Sequence, residues 1–263
     1  MIARVVKGIG RSAREMVSGL GRAGRFAAES AAASRDVATW WPQTTPQALE
    51  LGVRSLPIGA FIAVFTGIVL ALLASYSVTG AVPLYFVGTL VEKTITMELA
   101  PVLTGLALAG RVGANIAAEL GTMRVTEQID ALETLAYDPR SYLVVPRIVA
   151  GAVMFPVVVA TAMIVGVASG WLASVALLDM SSPEFVKVLR LFFSAFDVRF
   201  GLIKAASFGA AVTFVGCFAG MTASGGAQGV GRAATQAVVY SATLILVLDA
   251  FWAVALLTGR EPT

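Results

Sequence analysis

The side chains in this sequence that could carry chemistry fall into two groups. Between Arg124 and Arg147 stand seven charged residues, Arg124, Glu127, Asp130, Glu133, Asp138, Arg140 and Arg147, in a chain of which only 13% of residues are charged. The second group is four charges set within apolar runs: Glu98, Arg111, Glu119 and Asp249. Carboxylates that share acid–base work must stand close together, yet Glu98 and Glu119 are 21 residues apart, about 31 Å along a helix. They mark the two ends of one helix, not one site. The chain has no His, its single Cys217 lies in an apolar run, and it contains no G-x-x-x-x-G-K-[ST] phosphate loop. No catalytic or metal-binding residue is assigned. What remains open is recognition and charge pairing, because an ionised group inside a membrane span costs about 2.5–3.5 kcal/mol on insertion and marks a functional position by default.

The elements that carry these charges follow from composition. The chain is 57% hydrophobic with a mean hydropathy of +0.83, whereas soluble domains carry roughly 25% charged residues, so an integral membrane protein is predicted. Ser55–Val91, Ile148–Leu178 and Ala205–Gly231 contain no Asp, Glu, Lys or Arg. Each exceeds the ~20 residues that cross a bilayer core. With two further apolar stretches that carry internal charges, five spans are predicted near 56–78, 97–119, 147–172, 204–224 and 236–258. A large soluble helical core would instead show amphipathic stripes.

Residues 1–35 hold seven basic and two acidic side chains. Ile2, Val5, Val6, Ile9, Ala13, Met16, Val17 and Leu20 recur at helical spacing, with Arg4, Lys7, Arg11, Arg14, Arg22 and Arg25 around them. This pattern predicts a basic amphipathic helix lying in the headgroup plane; the alternative is a disordered basic tail. Its GLGRAG run matches a dinucleotide fingerprint in letters only, since no strand precedes it. No cleaved signal peptide is expected. Lys and Arg in the short loops put the N-terminus, the 120–147 segment and the loop near Arg232 on the cytoplasmic side, and five spans then leave the C-terminus outside. In the outer segment 179–203, Val186, Leu189, Phe192, Phe193 and Phe196 fall at helical spacing and predict an interfacial helix.

Val125, Ile129, Leu132 and Ala136 share one helical face, and Glu127, Asp130, Glu133 and Thr134 take the others. A three-turn amphipathic helix is predicted, ended by Asp138-Pro139 because Pro disfavours helix in its predecessor. Periodicity leaves two readings open, a solvated connector or a helix that docks in a groove of a partner. Within the spans, Arg111 and Asp249 are predicted to neutralise each other, tying the second span to the fifth. Glu119 is expected to cap structure at the cytoplasmic boundary. Small residues at Gly105, Gly110, Gly113 and Ala117, and at Gly216, Gly220 and Ala223, predict close helix approach. Leu72, Leu73 and Tyr76 either face lipid or line a substrate path together with Glu98 and Leu99.

The block from Met97 to Arg147 resembles the MlaE/YrbE family of ABC-transporter permeases. Glu98, Leu99 and Pro101 fit the family's E-L-x-P start, and Ala109, Gly110, Arg111 and Gly113 its A-G-R-x-G segment. Ala118, Glu119, Gly121, Met123, Thr126, Glu127 and Gln128 fit A-E-x-G-x-M-x-x-T-E-Q, and Asp138, Pro139, Pro146 and Arg147 the D-P and P-R pairs. Gly229, Arg232, Ala233 and Thr235 resemble the second cytoplasmic loop, and Leu248-Asp249 the last span. Some members have Arg before the E-L-x-P glutamate; here that position is Met97, so no headgroup role of that Arg is carried over.

The resemblance implies an all-α integral membrane protein: an N-terminal interfacial amphipathic helix with its linker over 1–50, a permease domain over 51–258 with five transmembrane helices, and a tail over 259–263. It implies a cytoplasmic coupling helix over about 124–138, with Arg124, Glu127, Gln128, Asp130, Glu133 and Asp138 facing a separate ABC ATPase, and a periplasmic helical segment. It further implies a homodimer in the bacterial inner membrane and a periplasmic MCE-domain carrier, expected as a hexamer, with a STAS-domain protein as a further candidate partner. Phospholipid or a related lipid is the implied cargo. ATP and Mg belong to the partner ATPase, no cofactor is expected in this chain, and no nucleic acid is involved. Two other readings remain: an ion-gradient-driven secondary transporter, or a non-transporting membrane anchor for the carrier.

Overall fold

A computed structural model describes the backbone of residues 2–77, 86–178 and 180–257 and, within these, most side chains from residue 17 onward. All regular structure among the described residues is helical. The predicted apolar stripe and cations over residues 2–16, Asp179 and the C-terminal tail 259–263 lie outside what is described.

Helix α1 (Ile2–Ala33) leads into α2 (Val37–Leu51). The stretch expected to be a linker up to residue 50 is thus largely helical, even with Pro42 and Pro46 inside α2. Phe26 of α1 is buried and meets the rings of Phe214 and Phe218 at centroid distances of 5.6 Å. That contact anchors the α1 C-terminal end to the bundle. A single 3-10 turn, Val53–Ser55, then turns the chain into α3 (Leu56–Ser77).

The second span is longer than predicted. It runs as one helical column from Phe86 to Val125, comprising α4 (Phe86–Thr94), α5 (Ala100–Leu108) and α6 (Ala114–Val125) joined by π-helical turns at Ile95–Leu99 and Ala109–Gly113. A short helix α7 (Gln128–Thr134) follows. After a third π turn at Arg140–Val144 come α8 (Val145–Leu177), α9 (Ser182–Phe192), α10 (Ala195–Met221) and α11 (Gly226–Leu257). Among the described residues, five helical stretches are long and apolar enough to cross a membrane. The turn from α10 to α11 uses Gly225 and Gly226 at φ +89° and +66°, backbone that glycine enters without the Cβ penalty.

Two apolar clusters stack along the bundle. One, toward α7, gathers Leu51, Leu108, Ile116, Ile129, Phe155, Phe208 and Ile245. The other gathers Ala71, Val91, Ile95, Met163, Phe185 and Ala205. Since dispersion and small-residue contact replace the hydrophobic drive inside a bilayer, the crossings fall at glycines. A Cβ on Gly209 of α10 would meet the Gly151 carbonyl of α8 at 2.2 Å, and one on Gly67 of α3 would meet the Gly166 carbonyl of α8 at 2.1 Å. The small-residue stripe read in the sequence does seat α10 on the second span: a Cβ on Gly216 would lie 3.0 Å from the Gly113 carbonyl, and one on Gly220 3.0 Å from that of Ala117. Gly110 stands apart, with nothing within 4 Å of an added Cβ.

Candidate functional site

Where the two apolar clusters meet, three ionisable side chains from three helices converge. Lys204 of α10 is 0% exposed. Its Nζ lies 2.7 Å from Oε1 of Glu98 and 2.7 Å from Oδ1 of Asp249. It also donates to the Met97 carbonyl at 3.3 Å and sits 4.6 Å from the centroid of the Phe200 ring. Glu98 belongs to the π turn at Ile95–Leu99, and Asp249 to α11. Lys204 lies nine residues into α10 and Asp249 eight residues before the end of α11, depths of about 14 and 12 Å. The contact with Asp249 has ion-pair distance without hydrogen-bond alignment.

A lone ammonium at such a depth would be strongly disfavoured. Glu98 and the Met97 carbonyl accept hydrogen bonds from it and Asp249 is an ion-pair partner, leaving a formal net charge of −1 that is only partly shielded. The Glu98 side chain is 40% exposed and that of Asp249 is 22% exposed, so the cluster presents an anionic edge to whatever fills the space beside it. Trp252 of α11 donates to Ser207 of α10 at 2.9 Å, tying together the two helices that carry Asp249 and Lys204. Closer to the end of the bundle away from α7, Lys93 pairs with the buried Asp197 at 2.8 Å.

A family model described as "Permease MlaE" matches residues 44–255, which includes every part of this cluster. The chain belongs to the MlaE permease family. A probable ABC transporter permease protein of Rickettsia prowazekii is 44% identical over 201 residues, covering 76% of this chain and 78% of the relative. The intermembrane phospholipid transport system permease protein MlaE of Haemophilus influenzae is 32% identical over 250 residues, 95% of this chain and 96% of that one. The chloroplastic protein TRIGALACTOSYLDIACYLGLYCEROL 1 of Arabidopsis thaliana is 34% identical over 209 residues, 80% of this chain and 60% of that one.

In this MlaE-family permease the predicted partner of Asp249 is replaced. Asp249 pairs with Lys204, while Arg111 donates to Ser55 Oγ at the start of the first span. The expected Arg111–Asp249 pair is therefore corrected. The cause is the true length of the fourth span. Counting it from residue 204 places Lys204 in an outer loop, whereas α10 begins at Ala195 and carries Lys204 inside. A signal for that start was present: Ser194, three residues before Asp197, forms the S-x-x-D pattern of a helix N-terminus, and its side chain accepts from the Phe196 N–H at 3.3 Å.

At the other end of the second span, Glu119 accepts from the buried Arg147 at 2.7 Å, and Arg147 also donates to the Leu143 carbonyl at 2.7 Å. Glu119 thus joins the second span to the third. Beyond it lies α7, a seven-residue helix and not the three-turn helix over 124–138. Its shortness has a backbone cause, since Glu127 and Ala136 flank it in the left-handed region at φ +61° and +62°. At the C-terminal end, Tyr137 N–H bonds the Leu132 carbonyl and Ala136 N–H that of Glu133, a Schellman closure. Of the α7 side chains only Ile129 is buried. Glu127, Gln128, Asp130 and Glu133 are exposed, as are Leu135 and Tyr137 just beyond the helix.

Four residues of the predicted coupling set, Arg124, Gln128, Asp130 and Asp138, have internal partners, Gln128 through a 3.1 Å bond to the Thr126 hydroxyl. Asp130 accepts from Arg124 at 2.6 Å. Asp138 accepts from Arg140 N–H at 3.0 Å and from the Ser141 hydroxyl at 3.1 Å, so it caps the next helix. Arg140 also reaches Glu29 of α1 at 2.7 Å. Leu72, Leu73 and Tyr76 are exposed on the C-terminal part of α3, whereas Leu99 borders a small cavity with Ile62, Ala63 and Ile95.

Proposed function

We propose that this permease is the membrane subunit of an ABC-type transporter that moves phospholipid or a related lipid between the inner membrane and a periplasmic MCE-domain carrier. The observation that carries this reading is the end-to-end similarity to the phospholipid transport permease of Haemophilus influenzae, over 95% and 96% of the two chains. The transporter works as a homodimer, with its N-terminus in the cytoplasm and C-terminus in the periplasm, as the Lys and Arg distribution favours. A separate cytoplasmic ATPase binds ATP and Mg and drives it. The carrier is a hexamer of MCE-domain chains, and a STAS-domain protein is a further partner to test for.

Force enters at α7. Two left-handed residues and a Schellman closure hold this helix at a set angle between two spans, and its outward side is acidic with apolar Leu135 and Tyr137 beside it. A short amphipathic helix of this kind fits a groove on a partner. The Lys204 cluster is the element that such a push would rearrange, because it joins three spans in a low-dielectric setting where electrostatic terms are large. Asp249, the deep carboxylate that an ion-gradient mechanism would use, is paired with Lys204, which favours the ATPase-driven reading.

Changing Glu127 and Glu133 together to Lys is expected to lower ATPase copurification at least about tenfold, a like-charge penalty of a few kcal/mol at a docking surface. The spans should fold as before, since both side chains are exposed. Undiminished copurification from membranes with an epitope-tagged chain counts against the docking assignment.

A further inference from the structure

Arg111 differs from the other cations set into the bundle. Lys93, Arg147 and Lys204 each have a carboxylate within 2.8 Å. Among the described residues Arg111 has none, and its guanidinium donates to Ser55 Oγ. A guanidinium carries five N–H donors in a planar fork suited to phosphate, so most of them are left for another acceptor. Beside it opens a cavity of about 140 Å³ lined by Glu50, Leu51, Arg111, Val112 and Asn115.

Ser55 follows Arg54, the last charge before the charge-free run of the first span. The cavity therefore lies where the bundle passes from headgroups to hydrocarbon, in the half nearer α7. Its polar lining has two poles. Arg111 and the exposed Asn115 amide offer donors on the second span, and Glu50 of α2 offers a carboxylate that is 36% exposed and bonded on one side to Arg54. Leu51 and Val112 form the apolar wall between them.

We propose that this cavity binds the headgroup of a zwitterionic phospholipid of the phosphatidylethanolamine type. The phosphate accepts from Arg111 and from the Asn115 amide, and the ammonium donates to Glu50. The glycerol end of phosphatidylglycerol offers Glu50 only neutral hydroxyl donors where phosphatidylethanolamine offers an ammonium, and charge-assisted hydrogen bonds are the stronger, so the cavity favours phosphatidylethanolamine over phosphatidylglycerol. This deepens the transport reading and rests on it for the site's place at the inner-leaflet end of the path; the binding itself stands on the lining.

The test uses the full chain purified in detergent and titrated separately with dioleoylphosphatidylethanolamine, dioleoylphosphatidylglycerol and dioleoylglycerol. Native mass spectrometry reads bound lipid and copy number together. Phosphatidylethanolamine is expected to bind about tenfold more tightly than dioleoylglycerol, the scale of one charged hydrogen-bonding group, and Arg111→Met should erase that preference. Glu50→Gln, at a partly exposed position, should abolish the preference for phosphatidylethanolamine over phosphatidylglycerol while phosphate recognition stays. Equal binding of all three lipids by the unmodified chain overturns the proposal, as does a Glu50→Gln variant that still prefers phosphatidylethanolamine. An Arg111→Met variant that keeps its lipid preference but changes copy number also overturns it, and assigns Arg111 to a contact between two chains. The assay scores occupancy, so a chain that binds the headgroup but moves no lipid defeats the proposed function and leaves this site standing.

Discussion

Lys204→Met is expected to cost the folded permease about 3–5 kcal/mol, the scale for removing one partner of a buried charge pair. Methionine keeps the length of the stem, so packing against Phe200 is largely retained and the loss is electrostatic. Two carboxylates that share one ammonium at 2.7 Å each would be left facing each other with no cation among their contacts. Asp249 suffers more, because its side chain is 22% exposed against 40% for Glu98, and Glu98 can turn part of its charge to water. Adding Asp249→Asn to Lys204→Met should therefore recover more than half of the loss. Reversible unfolding of the purified chain in mixed detergent measures both. If the single variant unfolds at the same denaturant concentration as the parent, the cluster carries no stability and its place in the mechanism falls with it.

Gly209→Val should be nearly as damaging. A Cβ there would meet the Gly151 carbonyl oxygen and carbon at 2.2 and 2.8 Å and the Phe155 Cβ at 2.8 Å, and none of these can swing aside by a rotamer change. The α8–α10 crossing would have to open, at about 3 kcal/mol, the upper end of the cost of overpacking. Gly231→Ala, which meets nothing within 4 Å, is the matched control and should be neutral or slightly stabilising, as Ala is the better helix former. Thermal aggregation of the two variants in the same detergent separates loss of close approach from a general intolerance of substitution. A Gly209→Val protein as stable as the control would mean that these helices are not held at contact distance.

Three of the five spans were legible because charge-free runs of more than 20 residues have no other comfortable home, and the other two by length and apolar content despite their internal charges. Small residues at Gly216 and Gly220 pointed correctly to a close approach of α10 to the second span, since spacing by four keeps one helix face narrow. The Gly151–Gly209 and Gly67–Gly166 crossings were missed, although Gly166 and Gly170 stand at the spacing of four that marks a close approach; Gly151 has no such neighbour in its helix. Partner choice was harder still. Arg111 and Asp249 were the conspicuous charges, and pairing them was the simplest way to neutralise both. Lys204 escaped notice because it stands at the edge of a segment rich in charge, where polar residues usually mark a loop. The extra turns of α10 that bury it are announced only by the Ser194 cap. For α7, helical periodicity extended from Val125 to Ala136, but left-handed backbone at Glu127 and Ala136 overrode it; neither residue type announces such a conformation. The acidic character of that segment was readable, and its exposure follows from it.

The two π turns in the second span have a consequence for how this helix tolerates change in length. A π turn holds one residue more than the α-helical turn it replaces, so each is a place where the column has absorbed an extra residue without twisting its far end. Deleting one residue inside Ile95–Leu99 or Ala109–Gly113 would let the ladder close as ordinary helix, and the faces beyond would keep their bearings. The same deletion in α5 would rotate everything past it by about 100°. These two turns act as slack in an otherwise rigid rod, and they lie where Glu98 and Arg111 must each aim at a target on a neighbouring helix.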